Sequence, residues 1–153
     1  MQALVVMPTY QEAANIATVL RRVRSAVPTS TVLVVDDNSP DGTADLADVV
    51  AGEVGGIEVL RRREKNGLGS AYRAGFAWGL AHGFDILVEM DADLSHDPAA
   101  LPTLLRPVMA DTADLVIGSR YVPGGSIPDW TWHRRMLSAA GNRYAAAMLG
   151  LAV

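Results

Sequence analysis

"STVLVVDDNSPDGTADLADVVAG", residues 30–52, decides the fold. An unbroken apolar run rich in valine ends in two adjacent aspartates, Asp36 and Asp37. A turn of Asn, Ser, Pro and Gly follows, and Asp41 reads as the N-cap of the helical stretch behind it. The segment is therefore a strand, a turn and a helix. Because the run does not alternate, the strand is expected to be buried on both faces, as strands of parallel sheets are.

The same unit recurs on either side. Upstream, "ALVVMP" reads as a first strand ended by Pro8. From about Gln11 to Ala26 the residues Ile16, Val19, Leu20, Val23 and Val27 fall at helical spacing. Downstream, "GIEVLRR" is a third strand, and "SAYRAGFAWGLAHG" a helix stopped by Gly83. "FDILVEMDAD" is a fourth strand. "DPAALPTLLRPVMA" is a helix capped by Asp97 with Pro98 at its first position, and "ADLVIGSR" is a fifth strand. This alternation predicts an α/β fold with a mostly parallel sheet and helices on both faces. In such sheets ligands bind at the carboxyl ends of the strands. Pro8 to Glu12, Asp36 to Asp41, Asp91 to His96 and Gly118 to Arg120 all stand at such ends and are expected to converge.

The chain has 153 residues, enough for a compact domain with a real core. Its net charge of -4 argues against broad nucleic-acid binding. The absence of cysteine excludes disulfides and thiolate metal sites. "MQALVVMPTY" has neither a basic n-region nor a cleavage site and reads as a strand, not as a signal peptide. No uncharged apolar run is long enough to span a bilayer. The stretch from Met136 to Val153 comes closest, but Asn142 and Arg143 interrupt it. It ends without a cap or polar tail, so the sequence reads as a fragment of a longer protein. After Arg120 the character changes: "YVPGGSIPDWTWHRR" combines turn residues, two tryptophans and paired arginines. The expected division is 1–120 as a ligand-binding core and 121–153 as a loop with the start of an amphipathic helix.

Asp91 and Asp93 stand one residue apart in "VEMDADLSH", residues 88–96. If strand geometry continues they share a side, and paired carboxylates there suit Mg²⁺ or Mn²⁺. A solvated turn explains an isolated pair equally well. Ser95 offers a hydroxyl. His96 reads as a third ligand, a general acid or base, or a helix-start residue. Asp37, with Asp36 behind it, suits ribose hydroxyls or a base N–H, whereas Asp41 suits capping. "EKNGLGSAYRAG" lacks the phosphate-loop pattern, and Tyr72 replaces the third glycine of a dinucleotide fingerprint. Gly67 and Gly69 then let a helix start approach the crevice. Arg120, Arg134 and Arg135 read either as surface charges or as phosphate holders. A phosphoacceptor receiver domain is excluded, because its acidic pair would end the first strand and its lysine would follow the acceptor aspartate. Lys65, the only lysine, precedes "DAD". Nucleotide-sugar transfer and a non-catalytic nucleotide-binding module both remain.

Five segments in order, "MPTYQEAANI", "VVDDNSPDGT", "KNGLGSAYRAGFAWG", "VEMDADLSHDP" and "GSRYVPGG", resemble the family 2 glycosyltransferases of the GT-A fold. The resemblance covers essentially the whole chain. It is strongest to dolichyl- and polyprenyl-phosphate mannosyltransferases, whose W-x-x-x-R-x-x-x-S-x-x-x-N continuation is matched by Trp130, Arg134, Ser138 and Asn142. It implies a donor pocket of Pro8, Tyr10, Glu12, Asp37, Asp91, Ala92 and Arg120. It implies Mg²⁺ or Mn²⁺ on Asp91 and Asp93, with Ser95 where the family often has a metal-binding glutamine. Gln11 stands where its first motif usually has asparagine. Asp93, Arg120 and Arg134 would be catalytic, and Arg134 and Ser138 would meet the acceptor phosphate. The implied reaction is inverting transfer of mannose from GDP-mannose to a polyprenyl (dolichyl) phosphate. UDP-glucose is the alternative donor, and a nucleotide-sugar-binding fragment without turnover is the alternative function. The lipid acceptor implies peripheral contact with the cytoplasmic face of a membrane. Trp130, Trp132, His133 and the arginines after them suit such an interface.

Overall fold

The computed structural model describes residues 1–119 and 131–150, without the side chains of Arg134, Arg135 and Leu149. Two compact units emerge, Met1–Val116 and Ile117–Val153. The first contains β1 (Ala3–Thr9), α1 (Ile16–Ala26), β2 (Thr31–Asp36), α2 (Thr43–Val54), β3 (Ile57–Arg61), α3 (Leu68–Ala81), β4 (Ile86–Glu89) and α4 (Leu101–Met109). A short 3-10 turn, Pro98–Ala100, leads into α4. The second unit contains α5 (Trp132–Leu149).

The four strands form one parallel sheet in the order β3-β2-β1-β4. Two-residue alternation divides its side chains between two cores. Val5, Met7, Val32 and Val34 pack with Ile16, Val19, Leu20 and Val23 of α1 and with Ala47 and Val50 of α2. Leu4, Val6, Leu33 and Val35 pack on the opposite face with Ala71, Tyr72 and Phe76 of α3. Both faces are covered, which is why β1 and β2 carry no alternating polar residues. The expected parallel sheet with helices on both faces is therefore present. α3 lies very close to the sheet: a Cβ at Gly79 would come within 2.7 Å of both Leu4 and Leu87, and one at Gly75 would strike Val6.

Several boundaries differ from expectation. β1 does not stop at Pro8 but continues to Thr9, paired with Asp36. Its carbonyls alternate sides: Thr9 accepts from the Asp37 amide after β2, and Val6 accepts from the Met90 amide after β4. The next donor toward β4 would be the amide that Pro8 lacks. Pro8 thus ends the pairing with β4, not the strand. This also accounts for β4 stopping at Glu89, short of Asp91 and Asp93.

α1 begins at Ile16 and not near Gln11, because Gln11 is left-handed with φ 61°. The Glu12 carbonyl accepts from the Asn15 and Ile16 amides and makes the turn. The N-cap position of α2 is Gly42, not Asp41. Asp41 reaches past it to accept from the Thr43 amide at 3.1 Å and the Thr43 hydroxyl at 2.6 Å. That hydroxyl bond is the main reason its carboxyl titrates below the ordinary value. The expected cap at Asp97 is formed, with its carboxylate accepting from the Ala99 amide at 3.1 Å. Gly83, left-handed at φ 77°, follows the end of α3 as expected.

The fifth strand is not formed by the described part of "ADLVIGSR". Leu115 and Ile117 there are 71% and 56% exposed. An edge strand requires side-chain burial in addition to ladder bonds, since the net gain per hydrogen bond, about 1 kcal/mol, does not exceed the cost of ordering a residue. β4, only four residues long, offers little edge for such pairing.

Candidate active site

The loops after β1 and β2 are joined by polar contacts between their backbones and side chains. The Gln11 amide donates to the Ser39 hydroxyl at 3.1 Å, the Glu12 amide to the Thr43 hydroxyl at 3.0 Å, and the Ala13 amide to Asp41 at 3.1 Å. Glu12 also accepts from the Asn15 side-chain amide at 3.0 Å. These bonds hold Pro8, Tyr10 and Glu12 beside the end of β2. Together with Asp37, Asp91, Ala92 and Asp93 they line one cavity of about 290 Å³ at the carboxyl end of the sheet. Every described donor-pocket residue expected from the sequence is therefore brought to one place. Arg120 lies outside the described residues, as does Trp130.

The adjacent aspartates after β2 separate by environment. Asp36 is 2% exposed and accepts from the Thr9 hydroxyl at 2.9 Å, the Ser39 hydroxyl at 2.6 Å and the Ser39 amide at 2.9 Å. Its lone pairs are engaged in fixing the turn, and it does not line the cavity. Asp37 lines the cavity wall and accepts from the Arg62 guanidinium at 2.8 Å. The second arm of Arg62 donates to the Ser70 hydroxyl at 2.7 Å in the first turn of α3. Two adjacent anions coexist here because one is saturated by neutral donors and the other is paired with a cation.

Asp91 and Asp93 lie beyond β4, so strand alternation does not align them. Instead a turn with Leu94 at φ 62° folds the chain back. Single ligand atoms of Asp91, Asp93 and His96 all lie within 4.8 Å of one another. Two carboxylates and an imidazole at that spacing fit a divalent cation such as Mn²⁺ or Mg²⁺. Asp91 accepts from the Tyr72 hydroxyl at 2.9 Å through Oδ1, and its Oδ2 lies 3.9 Å from His96 Nδ1. Burial, then the Asp91 bond, pushes the Tyr72 hydroxyl far above its ordinary pKa, so it stays a donor at any neutral pH. Asp93 accepts from the Ser95 amide at 2.9 Å. Hydrogen bonding from Ser95 holds the Asp93 carboxyl below the ordinary value, in the metal-binding ionised form. The Ser95 hydroxyl is 3.3 Å from His96 Nδ1.

In the second unit, Ser138 is half-buried on α5. Position 134 lies one turn earlier on the same helix, with a side chain outside the described set. Three residues of the site carried no functional weight in the sequence. Lys65 lines the cavity with its ammonium 3.7 Å from the Tyr10 ring centroid. Arg62 neutralises Asp37, and Tyr72 holds Asp91. Lys65 precedes Gly67, a position that places it at the crevice once the helix start is known. Arg62 and Tyr72 gave no local signal, because their partners lie 25 and 19 residues away.

A family model described as Glycosyl transferase family 2 matches residues 4–150. The chain is 56% identical over 151 residues to the undecaprenyl-phosphate mannosyltransferase of Micrococcus luteus, covering 99% of this chain and 61% of that protein. It is 50% identical over 153 residues to the polyprenol monophosphomannose synthase of Mycolicibacterium smegmatis, covering 99% of this chain and 57% of that one. The chain thus spans about three-fifths of the length of these curated relatives. Among solved structures, a mannosyltransferase from Pyrobaculum calidifontis in complex with GDP-Man and Mn²⁺ aligns with a TM-score of 0.52 at 28% identity, over 60% of this chain and 27% of that one. The glucosyl-3-phosphoglycerate synthase of Mycobacterium tuberculosis, in complex with Mn²⁺, UDP and phosphoglyceric acid, aligns with a TM-score of 0.55 at 26% identity, over 70% of this chain and 38% of that one.

Proposed function

This chain belongs to glycosyl transferase family 2, and on that premise we propose that it carries the donor half of a polyprenyl-phosphate mannosyltransferase. The reaction is inverting transfer of mannose from GDP-mannose to a polyprenyl phosphate. The observation that carries this reading is the convergence of Pro8, Tyr10, Glu12 and Asp37 with Asp91 to Asp93 on one cavity at the strand ends. The two bacterial relatives, similar over nearly the whole chain, supply the acceptor class and the sugar.

Each group has a task that follows from its chemistry. Asp37 faces the cavity as a fixed acceptor for donor hydroxyls or a base N–H. Tyr10, with Lys65 above its ring, offers an aromatic wall. Asp91 and Asp93, with Ser95 or His96 beside them, would hold Mg²⁺ or Mn²⁺. Such an ion supplies charge neutralisation to a leaving diphosphate. Arg120 and Arg134 would hold donor and acceptor phosphates, with Ser138 at the acceptor phosphate. The acceptor oxygen is already an anion near neutral pH, so attack at the sugar C1 needs no general base. Alignment and electrostatics then provide the rate.

Peripheral contact with the cytoplasmic face of a membrane belongs to the same reading. No described helix is long and apolar enough to cross a membrane. α5, however, exposes Trp132, Met136, Leu137, Tyr144 and Met148, and the Trp132 ring lies 3.7 Å from that of His133. Exposed aromatic and aliphatic side chains on a helix with arginines suit a headgroup boundary.

A donor panel tests the assignment. With Mn²⁺ present, GDP-mannose at a hundredfold excess over Kd is expected to add about 2.7 kcal/mol of stability. That corresponds to a rise in Tm of roughly 5–10 °C, and chelation should remove it. UDP-glucose, the sugar nucleotide to compare because the glucosyl neighbour holds UDP, should shift Tm less. An equal or larger UDP-glucose shift would overturn the donor assignment.

A further inference from the structure

The geometry points to Tyr72 as a positioning residue that selects which oxygen of Asp91 is presented to a divalent cation; this rests on the metal reading of Asp91 and Asp93 above. A carboxylate on a loop has two equivalent oxygens and free rotation about its last bond. Here the Tyr72 hydroxyl donates to Oδ1 at 2.9 Å, and the opposite oxygen, Oδ2, lies toward His96 Nδ1 at 3.9 Å. Oδ2 is thus the oxygen on the His96 side, while Oδ1 is engaged by a neutral donor.

The donor itself is rigidly mounted. Tyr72 sits in the first turns of α3, and its ring belongs to the second core, with the Phe76 ring centroid 6.1 Å away. α3 is pinned to the sheet by the close approach at Gly75 and Gly79. The hydroxyl position is therefore set by core packing, whereas Asp91 stands on a turn outside any strand. Groups that hydrogen-bond to metal ligands fix ligand orientation, and their loss typically weakens metal affinity by about 10–100-fold.

The test is Mn²⁺ titration followed by the EPR signal of free Mn²⁺, on this chain in the presence of GDP. Wild type is expected to bind, and Tyr72→Phe is expected to bind about 10–100-fold more weakly. The phenylalanine ring retains the packing against Phe76, so the metal-free Tm should fall by only a few degrees, about the value of one hydrogen bond. Phe76→Leu is the packing control: it disturbs the same ring contact, leaves the hydroxyl in place, and should bind Mn²⁺ within about twofold of wild type. Wild-type affinity in Tyr72→Phe overturns the inference and leaves the metal reading intact. Equal losses in Tyr72→Phe and Phe76→Leu overturn it too, since packing alone would then explain the effect. A wild-type chain that binds no Mn²⁺ with GDP removes the metal reading and this inference together.

Discussion

Asp93→Ala is expected to lower metal-dependent mannosyl transfer by about 10³-fold while leaving the fold intact. The magnitude follows from the role. A bound divalent ion contributes several kcal/mol to stabilising a leaving diphosphate, and about 4 kcal/mol is roughly three orders of magnitude in rate. Asp91 has a second task as partner of Tyr72, whereas among the described residues Asp93 hydrogen-bonds locally, to Ser95. It is also largely exposed. Its removal leaves no buried group unpaired, so urea denaturation without metal should match wild type within about 0.5 kcal/mol. Mn²⁺ binding with GDP, read by titration, should weaken in parallel with turnover. Full metal-dependent turnover in Asp93→Ala would show that this carboxylate is not a metal ligand.

Arg62→Met is expected to cost about 3–5 kcal/mol of stability, the largest folding effect of any single change in the site. The Asp37 side chain is 6% exposed and that of Arg62 14%, so water replaces little of the lost pairing. Arg62 is also the bridge to Ser70, which ties the end of β3 to the first turn of α3. With methionine at this position Asp37 remains buried without its cation. Against a typical total of about 5–15 kcal/mol this is a large fraction, with a fall in Tm on the order of 10 °C. The double variant Arg62→Met/Asp37→Leu should recover most of the loss, because it removes the anion as well. Denaturant midpoints for the two variants decide the matter. A loss below about 1 kcal/mol in Arg62→Met would mean that the pair is not energetically coupled.

Much of the fold was legible because it rests on local patterns. The unbroken run Val32–Val35 reports a strand covered on both faces, and helical spacing from Ile16 to Val23 reports the helix that covers one of them. The rule that ligands collect at strand carboxyl ends then brought Tyr10, Asp37 and Asp93 together without any contact information. What was not legible depended on partners distant in sequence. Pro8 ends a ladder with β4, not its own strand, and this shows only once β4 is known to be the neighbour on that side. Asp36 and Asp37 look alike in sequence, yet Thr9 and Ser39 engage one while Arg62 pairs with the other. Tyr72 registered only as the residue that spoils a glycine pattern. Its hydroxyl bond to Asp91 spans two elements and leaves no periodic trace. "ADLVIGSR" has strand composition, but composition does not supply an edge to pair with.

The most direct test is transfer itself: this chain, Mn²⁺, GDP-mannose labelled in the sugar, and a polyprenyl phosphate in detergent or vesicles. The predicted result is label in a lipid-extractable mannosyl phosphate of β configuration, absent without the polyprenyl phosphate and absent after chelation. Retained metal-dependent binding of GDP-mannose with no label in the lipid fraction would contradict the transfer reaction and leave a nucleotide-sugar-binding module.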